Sequence, residues 1–122
     1  MMKPSVFIVE DDEDIRYILD IYLSEEGFVT TSFENIAEFK AVFPAELPDI
    51  FLLDVMLPDG YGTDICNDIR NEPSSAGLPI VMMSAHAAAG RIDKVCHADG
   101  FIQKPFELTS VQSTLMKFLK GG

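Results

Sequence analysis

The alternation of apolar and polar positions divides the chain into ten short segments. Val6–Val9 is a brief β-branched and aromatic run and predicts a first strand. After it, Ile15, Ile18, Leu19, Tyr22 and Leu23 recur at the spacing of a helix face. Asp12 or Glu13 suits the start of that helix, where negative charge meets the helix dipole, and Gly27 suits its end. Phe28–Phe33 predicts strand two, and "ENIAEFKAVF" a short helix with Ile36, Phe39 and Phe43 on one side. Pro44 and Pro48 bracket a loop.

Ile50–Leu53 predicts strand three. It is apolar throughout, which argues for burial on both faces, as in a parallel sheet. Pro58, Asp59, Gly60 and Gly62 predict a loop, followed by a helix from Thr63 to about Glu72, capped by Thr63 or Asp64. Pro79–Met83 predicts strand four, Ala88–His97 a helix, Phe101–Ile102 a fifth strand, and Glu107–Leu119 a last helix. Leu108, Val111, Leu115 and Phe118 form the inner stripe of that last helix. A βα unit repeated five times with short connections predicts an α/β fold with a parallel sheet and helices on both faces.

Size and composition narrow the picture. At 122 residues, 48% hydrophobic and 24% charged, the sequence suits a single globular domain. A net charge of −11 disfavours direct contact with nucleic acid or an anionic membrane, and suits cations and basic partner surfaces. No apolar run approaches membrane-spanning length, and "MMKPSVFIVE" is too short for a signal peptide. Two cysteines, Cys66 and Cys96, both expected on helices, do not make a disulfide framework; the expectation is a reducing, cytoplasmic compartment.

The strand ends carry the chemistry. Strand one runs into Glu10-Asp11-Asp12, strand three into Asp54 and strand four into Ser84, while Lys104 follows strand five. In a doubly wound sheet these ends share one edge, where ligands of such folds bind. Carboxylates gathered in one cleft repel one another, and a hard divalent cation relieves the repulsion. Cation, ammonium and hydroxyl together suit a transferring phosphoryl group, and a carboxylate can be its nucleophile.

Four motifs stand in order: "VEDDEDIR" (Val9–Arg16), "LLDVMLPDGYG" (Leu52–Gly62), "MMSA" (Met83–Ala85) and "FIQKPF" (Phe101–Phe106). Over nearly its whole length the chain resembles a response-regulator receiver domain of two-component signalling. The resemblance implies a doubly wound (βα)5, flavodoxin-like fold with strand order 2-1-3-4-5, forming one receiver domain over residues 1–122 with no output domain visible. It implies that Asp54 accepts a phosphoryl group and that Glu10, Asp11, Asp54 and the backbone carbonyl of Met56 hold Mg²⁺, or Mn²⁺ in its place. Ser84 is then the switch hydroxyl, Lys104 the phosphate-contacting lysine on a cis bond to Pro105, and Phe101 the aromatic rotamer switch. The implied partners are a sensor histidine kinase or phosphotransfer protein and a downstream protein; the sequence leaves monomer or homodimer open. Such a domain promotes its own aspartyl phosphorylation and dephosphorylation without being a conventional turnover enzyme.

Other readings are weaker. There is no G-x-x-x-x-G-K-[ST] loop, and "DGYG" is too short for a dinucleotide fingerprint. A haloacid-type phosphatase would place a second Asp where Met56 stands. Acids, not a Ser/Thr-Gly-rich loop, follow strand one, which disfavours a flavin phosphate. His86 and His97 make no metal set with the cysteines and are expected to be exposed or capping. The serious rival is a receiver-like module that binds partners without phosphorylation. The chain also departs from the family pattern: His97 replaces a usual Gly, and the stretch from Ser84 to Lys104 is short by a residue or two, so the helix within it is expected to be shortened or shifted. Met56 and His86 are expected to border the site and to act oppositely on the lifetime of the phosphoryl group.

Overall fold

A computed structural model of the chain describes residues 3–85 and 96–119. The elements are β1 (Ser5–Val9), α1 (Glu13–Glu25), β2 (Val29–Phe33), α2 (Ile36–Lys40), β3 (Ile50–Asp54), β4 (Met56–Leu57), β5 (Gly60–Tyr61), α3 (Gly62–Asn71), β6 (Ile80–Ser84), β7 (Gly100–Gln103) and α4 (Leu108–Leu119). Five strands form one parallel sheet in the order β2-β1-β3-β6-β7, which is the predicted 2-1-3-4-5.

The apolar strands are explained by cores on both faces. Phe7, Val9, Phe51, Leu53, Ile80 and Met82 point to the side covered by Ile36 and Phe39 of α2 and Ile65 and Ile69 of α3. Val6, Ile8, Ile50, Leu52, Val81 and Met83 point to the side covered by Leu19 and Leu23 of α1 and Val111 and Leu115 of α4. Strand alternation sends odd and even neighbours to opposite faces, so no position in β3 can be polar until the strand ends. On the first face Phe7, Phe33, Phe39 and Phe51 meet edge to face, and Phe43 stacks on Phe39 at 5.0 Å between ring centres.

Three local expectations change. Residues 56–61 are not an open loop but a two-strand antiparallel hairpin pairing Met56 with Tyr61 and Leu57 with Gly60. Helix α3 begins at Gly62, so Tyr61 rather than Thr63 or Asp64 stands at the cap position and no side-chain cap forms; the Gly62 amide is bound to the Val55 carbonyl at 2.7 Å. Helix α2 spans five residues, shorter than "ENIAEFKAVF" suggested, and the chain turns before Pro44. Asp12 does cap α1, accepting from the Ile15 amide at 3.1 Å, and Gly27 follows the helix with a φ of 96°. Cys66 lies on α3 and Cys96 in a bend, both buried. His86 and most of the predicted helix over 88–97 lie outside the described residues.

At the sheet's opposite end, Arg70 fastens several segments. It donates to the carbonyls of His97 (2.8 Å), Ala76 (3.1 Å) and Leu78 (2.7 Å) and pairs with Asp99 at 2.7 Å. Asp99 in turn accepts from the Ile80 amide at 2.8 Å.

Candidate functional site

The site forms where strands end. Val6 and Ile8 face the α1/α4 side, and so do Ile50 and Leu52. One further step of the same alternation points Glu10 and Asp54 to that side, and parallel pairing of β1 with β3 makes them neighbours. Both are buried, with Glu10 0% and Asp54 6% exposed. Carboxylate oxygens of Glu10, Asp11 and Asp54 all lie within 4.8 Å of one another, and Asp11 is exposed at the mouth. The three oxygens match the preference of a hard divalent cation for carboxylate oxygen and water, so the donor set fits Mg²⁺.

Lys104 follows the carboxyl end of β7. Its Nζ donates to Glu10 Oε1 at 2.5 Å and to Asp54 Oδ2 at 3.1 Å. Its own amide is bound to the Ser84 carbonyl at 2.8 Å, and the bond to Pro105 is cis, as expected. Ser84 is buried at the end of β6, one residue beyond Met83, the register partner of Asp54. Met56 lines the same cleft with Glu10, Asp11, Asp12, Ile15, Asp54, Ala85 and Lys104, its side chain more than half exposed. Phe101 is half-buried on β7 against the α2/α3 core. The fold thus brings together Glu10, Asp11, Asp54, Met56 and Lys104 and sets Ser84 at the same edge.

Crowding has an electrostatic consequence. Burial pushes the Glu10 carboxyl up to about 7, offset by the hydrogen bonds from Lys104 and the Asp12 amide, with the Asp54 charge adding to the rise. Burial alone would lower Lys104; the hydrogen bond to Glu10 and the charges of Asp54 and Glu10 together outweigh it and hold the ammonium above its usual value.

Two side chains near the site escaped sequence reading. Arg16 of α1 reaches back to the Glu10 carbonyl at 2.9 Å and meets Glu34 at 3.5 Å, so one guanidinium holds the acidic loop. Asp59, in the turn of the hairpin, accepts from the amides of Ile36 and Ala37 at 2.9 and 3.0 Å. Arg16 ends the first motif and could have been flagged there. Nothing local to Asp59 points 23 residues upstream.

A parallel sheet with acids and a lysine at its carboxyl edge defines a class, and comparison with known proteins names it. The family model for the response regulator receiver domain matches residues 6–116, and the chain belongs to that family. The chain is 33% identical over 120 residues to the transcriptional regulatory protein GltR of Pseudomonas aeruginosa, matching 95% of this chain and 49% of GltR. It is 35% identical over 125 residues to CseB of Streptomyces coelicolor, matching 96% of this chain and 51% of CseB. The chain therefore spans about half the length of these curated relatives. Among solved structures, the non-phosphorylated HemR receiver domain of Leptospira biflexa superposes with a TM-score of 0.87 at 29% identity, covering 98% of this chain and 97% of that one. TrrA of Thermotoga maritima shares the fold at a TM-score of 0.82 and 23% identity, covering 93% of this chain and 97% of that one. Among the described residues, no helix is long and apolar enough to cross a membrane.

Proposed function

We propose that the chain is one receiver domain that works as a phosphorylation switch: Asp54 takes a phosphoryl group from a partner phosphohistidine with a divalent cation bound, and the partner-binding surface changes in response. The observation that carries this reading is the placement of Asp54, a nearly buried carboxylate 3.1 Å from a lysine ammonium and grouped with two further carboxylates.

A carboxylate oxygen of Asp54 forms the new O–P bond as the P–N bond of the phosphohistidine breaks. The imidazole leaves with the electron pair and takes up a proton. Glu10, Asp11, Asp54 and the Met56 carbonyl would hold Mg²⁺ or Mn²⁺. The cation would supply charge neutralisation for the phosphoryl oxygens. TrrA was solved in complex with Mg²⁺ and BeF, and the acid cluster here suits the same cation. Lys104 already faces Asp54 and neutralises charge where the phosphoryl group arrives. Phosphorylation adds about −1.5 to −2 of charge and three acceptor oxygens. Ser84 turns toward these acceptors, Phe101 follows inward, and the equilibrium between two surfaces shifts. The donor is a histidine kinase or phosphotransfer protein, and the acidic chain itself contacts protein rather than nucleic acid.

The test is intact mass after incubation with acetyl phosphate, with and without Mg²⁺, for the wild type and Asp54→Asn. One phosphoryl adduct is expected on the wild type with Mg²⁺ and in no other sample. No adduct on folded, Mg²⁺-binding protein would favour a module that binds constitutively. An adduct surviving in Asp54→Asn would move the acceptor to Asp11 or Asp12.

A further inference from the structure

We infer that Asp59 is a positioning residue for the cation site, acting through the β4–β5 hairpin. The inference rests on the function proposed above and adds a residue that touches neither cation nor phosphoryl group.

Asp59 sits in the turn of the hairpin whose first residue, Met56, lines the cleft. Its Oδ1 accepts from the Ile36 amide at 2.9 Å and its Oδ2 from the Ala37 amide at 3.0 Å. These are the first two amides of α2, and they have no partner inside the helix. Asn35, the helix's own cap, serves Glu38 at 2.8 Å and leaves them free for Asp59. The Ile36 amide, foremost, holds the Asp59 carboxyl below its usual range, with the Ala37 amide and Lys40 adding to the effect.

The far side of this link does not move easily. A five-residue helix has little stability of its own, so α2 is held by Ile36 and Phe39, both buried in the aromatic core. Gly60 lies beside that helix: a Cβ there would fall 2.8 Å from Ile36 Cδ1. The base of the hairpin is fixed as well: the Val55 amide is bound to the Met83 carbonyl at 2.9 Å and the Gly62 amide to the Val55 carbonyl at 2.7 Å. Met56 therefore lies between two restrained points.

The same stretch of chain steadies the other half of the cleft. Glu34 pairs with Arg16, which donates to the Glu10 carbonyl at 2.9 Å. Residues 34–37 thus brace both loops that bring candidate cation ligands. A cap serving α2 alone could come from any nearby side chain; this one comes from the hairpin that carries Met56.

The experiment is calorimetric titration of Mg²⁺ into the metal-stripped full chain, for the wild type, Asp59→Asn, Asp59→Ala and Ser75→Ala, each with its melting temperature. Ser75 is a buried hydroxyl bound to the Ile69 carbonyl at 2.8 Å and controls for general loss of stability. Asp59→Ala should weaken Mg²⁺ about tenfold, the lower end for loss of an outer support of a metal site. Asp59→Asn should weaken it less, and Ser75→Ala should leave the dissociation constant unchanged. If Asp59→Ala does not fold, Asp59→Asn carries the comparison. Wild-type affinity in both Asp59 variants overturns the inference, as does an equal loss in Ser75→Ala. A wild type that binds no Mg²⁺ overturns it together with the proposed function, whereas a wild type that binds Mg²⁺ and accepts a phosphoryl group beside unaffected Asp59 variants overturns this inference alone.

Discussion

Lys104 Nζ lies between Glu10 Oε1 and Asp54 Oδ2, at 2.5 and 3.1 Å, and so joins the ends of the first, third and last strands of the main sheet. All three side chains are mostly or wholly shielded from water, so one ammonium offsets two carboxylates. Replacing Lys104 by Met removes the cation and leaves the acids facing each other. The loss of stability should be about 3 kcal/mol in urea denaturation with EDTA present. Mg²⁺ should restore much of it by taking over the neutralising charge. A Lys104→Met protein as stable as the wild type in EDTA would show that the pair contributes nothing net.

Glu10 makes stability depend on pH. Its carboxyl rises from an ordinary 4.5 to about 7 on folding, chiefly through burial, so the folded chain binds this proton more tightly than the unfolded chain. The stabilisation from protonation is therefore complete below about pH 4.5 and is lost as pH rises through about 7. Urea denaturation with EDTA at pH 5, 6, 7 and 8 should show the contribution falling, by up to about 1.4 kcal/mol per pH unit for one proton. Glu10→Gln should flatten that component. An identical pH profile for the two proteins would rule out Glu10 as its source.

Gly62 is required by close approach to the phosphoacceptor candidate. A Cβ at this position would fall 1.9 Å from the Asp54 carbonyl oxygen, and the obstacle is backbone rather than a flexible side chain. Gly62→Ala should destabilise by about 3 kcal/mol, as for other forced overpacking, and should slow phosphoryl uptake from acetyl phosphate by displacing Asp54. Uptake at the wild-type rate would mean the strand end absorbs the shift without moving its carboxylate.

The thiols give a direct probe of the fold. Cys66 and Cys96 are both buried, and burial together with the Cys96 thiol pushes Cys66 above the usual thiol range. Neither should react with a disulfide reagent such as Ellman's reagent in native conditions, and both should react in guanidinium. Fast native labelling of either would contradict the packing around α3.

Much of the architecture was legible because burial on both faces leaves an unmistakable mark. The runs Val6–Val9, Ile50–Leu53 and Ile80–Met83 are apolar at every position, and each stops at a polar residue at the carboxyl edge of the sheet. The site was legible for the same reason, since Glu10, Asp54 and Ser84 are those stopping points. What stayed hidden depends on contacts between distant segments. "PDGYG" has the composition of a turn, and only the packing of its tip on α2 and of Gly62 on Asp54 folds it into a hairpin. Thr63 and Asp64 looked like caps because cap preferences are local, while the helix begins earlier, at Gly62, and puts Tyr61 at the cap position. The ammonium of Lys104 and the hydroxyl of Ser84 were legible as phosphoryl chemistry from their places at strand ends, whereas the switching roles of Ser84 and Phe101 rest on the family resemblance.

Arg70 has a mechanical meaning that its distance from the acids conceals. By gripping His97, Asp99 and the turn before β6 at once, it turns the amino ends of β6 and β7 into a clamped jaw. The carboxyl ends of the same two strands, bearing Ser84 and Lys104, form the opposite jaw, joined by the Lys104 amide and the Ser84 carbonyl. Work done at the acidic end cannot be dissipated by sliding one strand along the other, because the far end is locked in register.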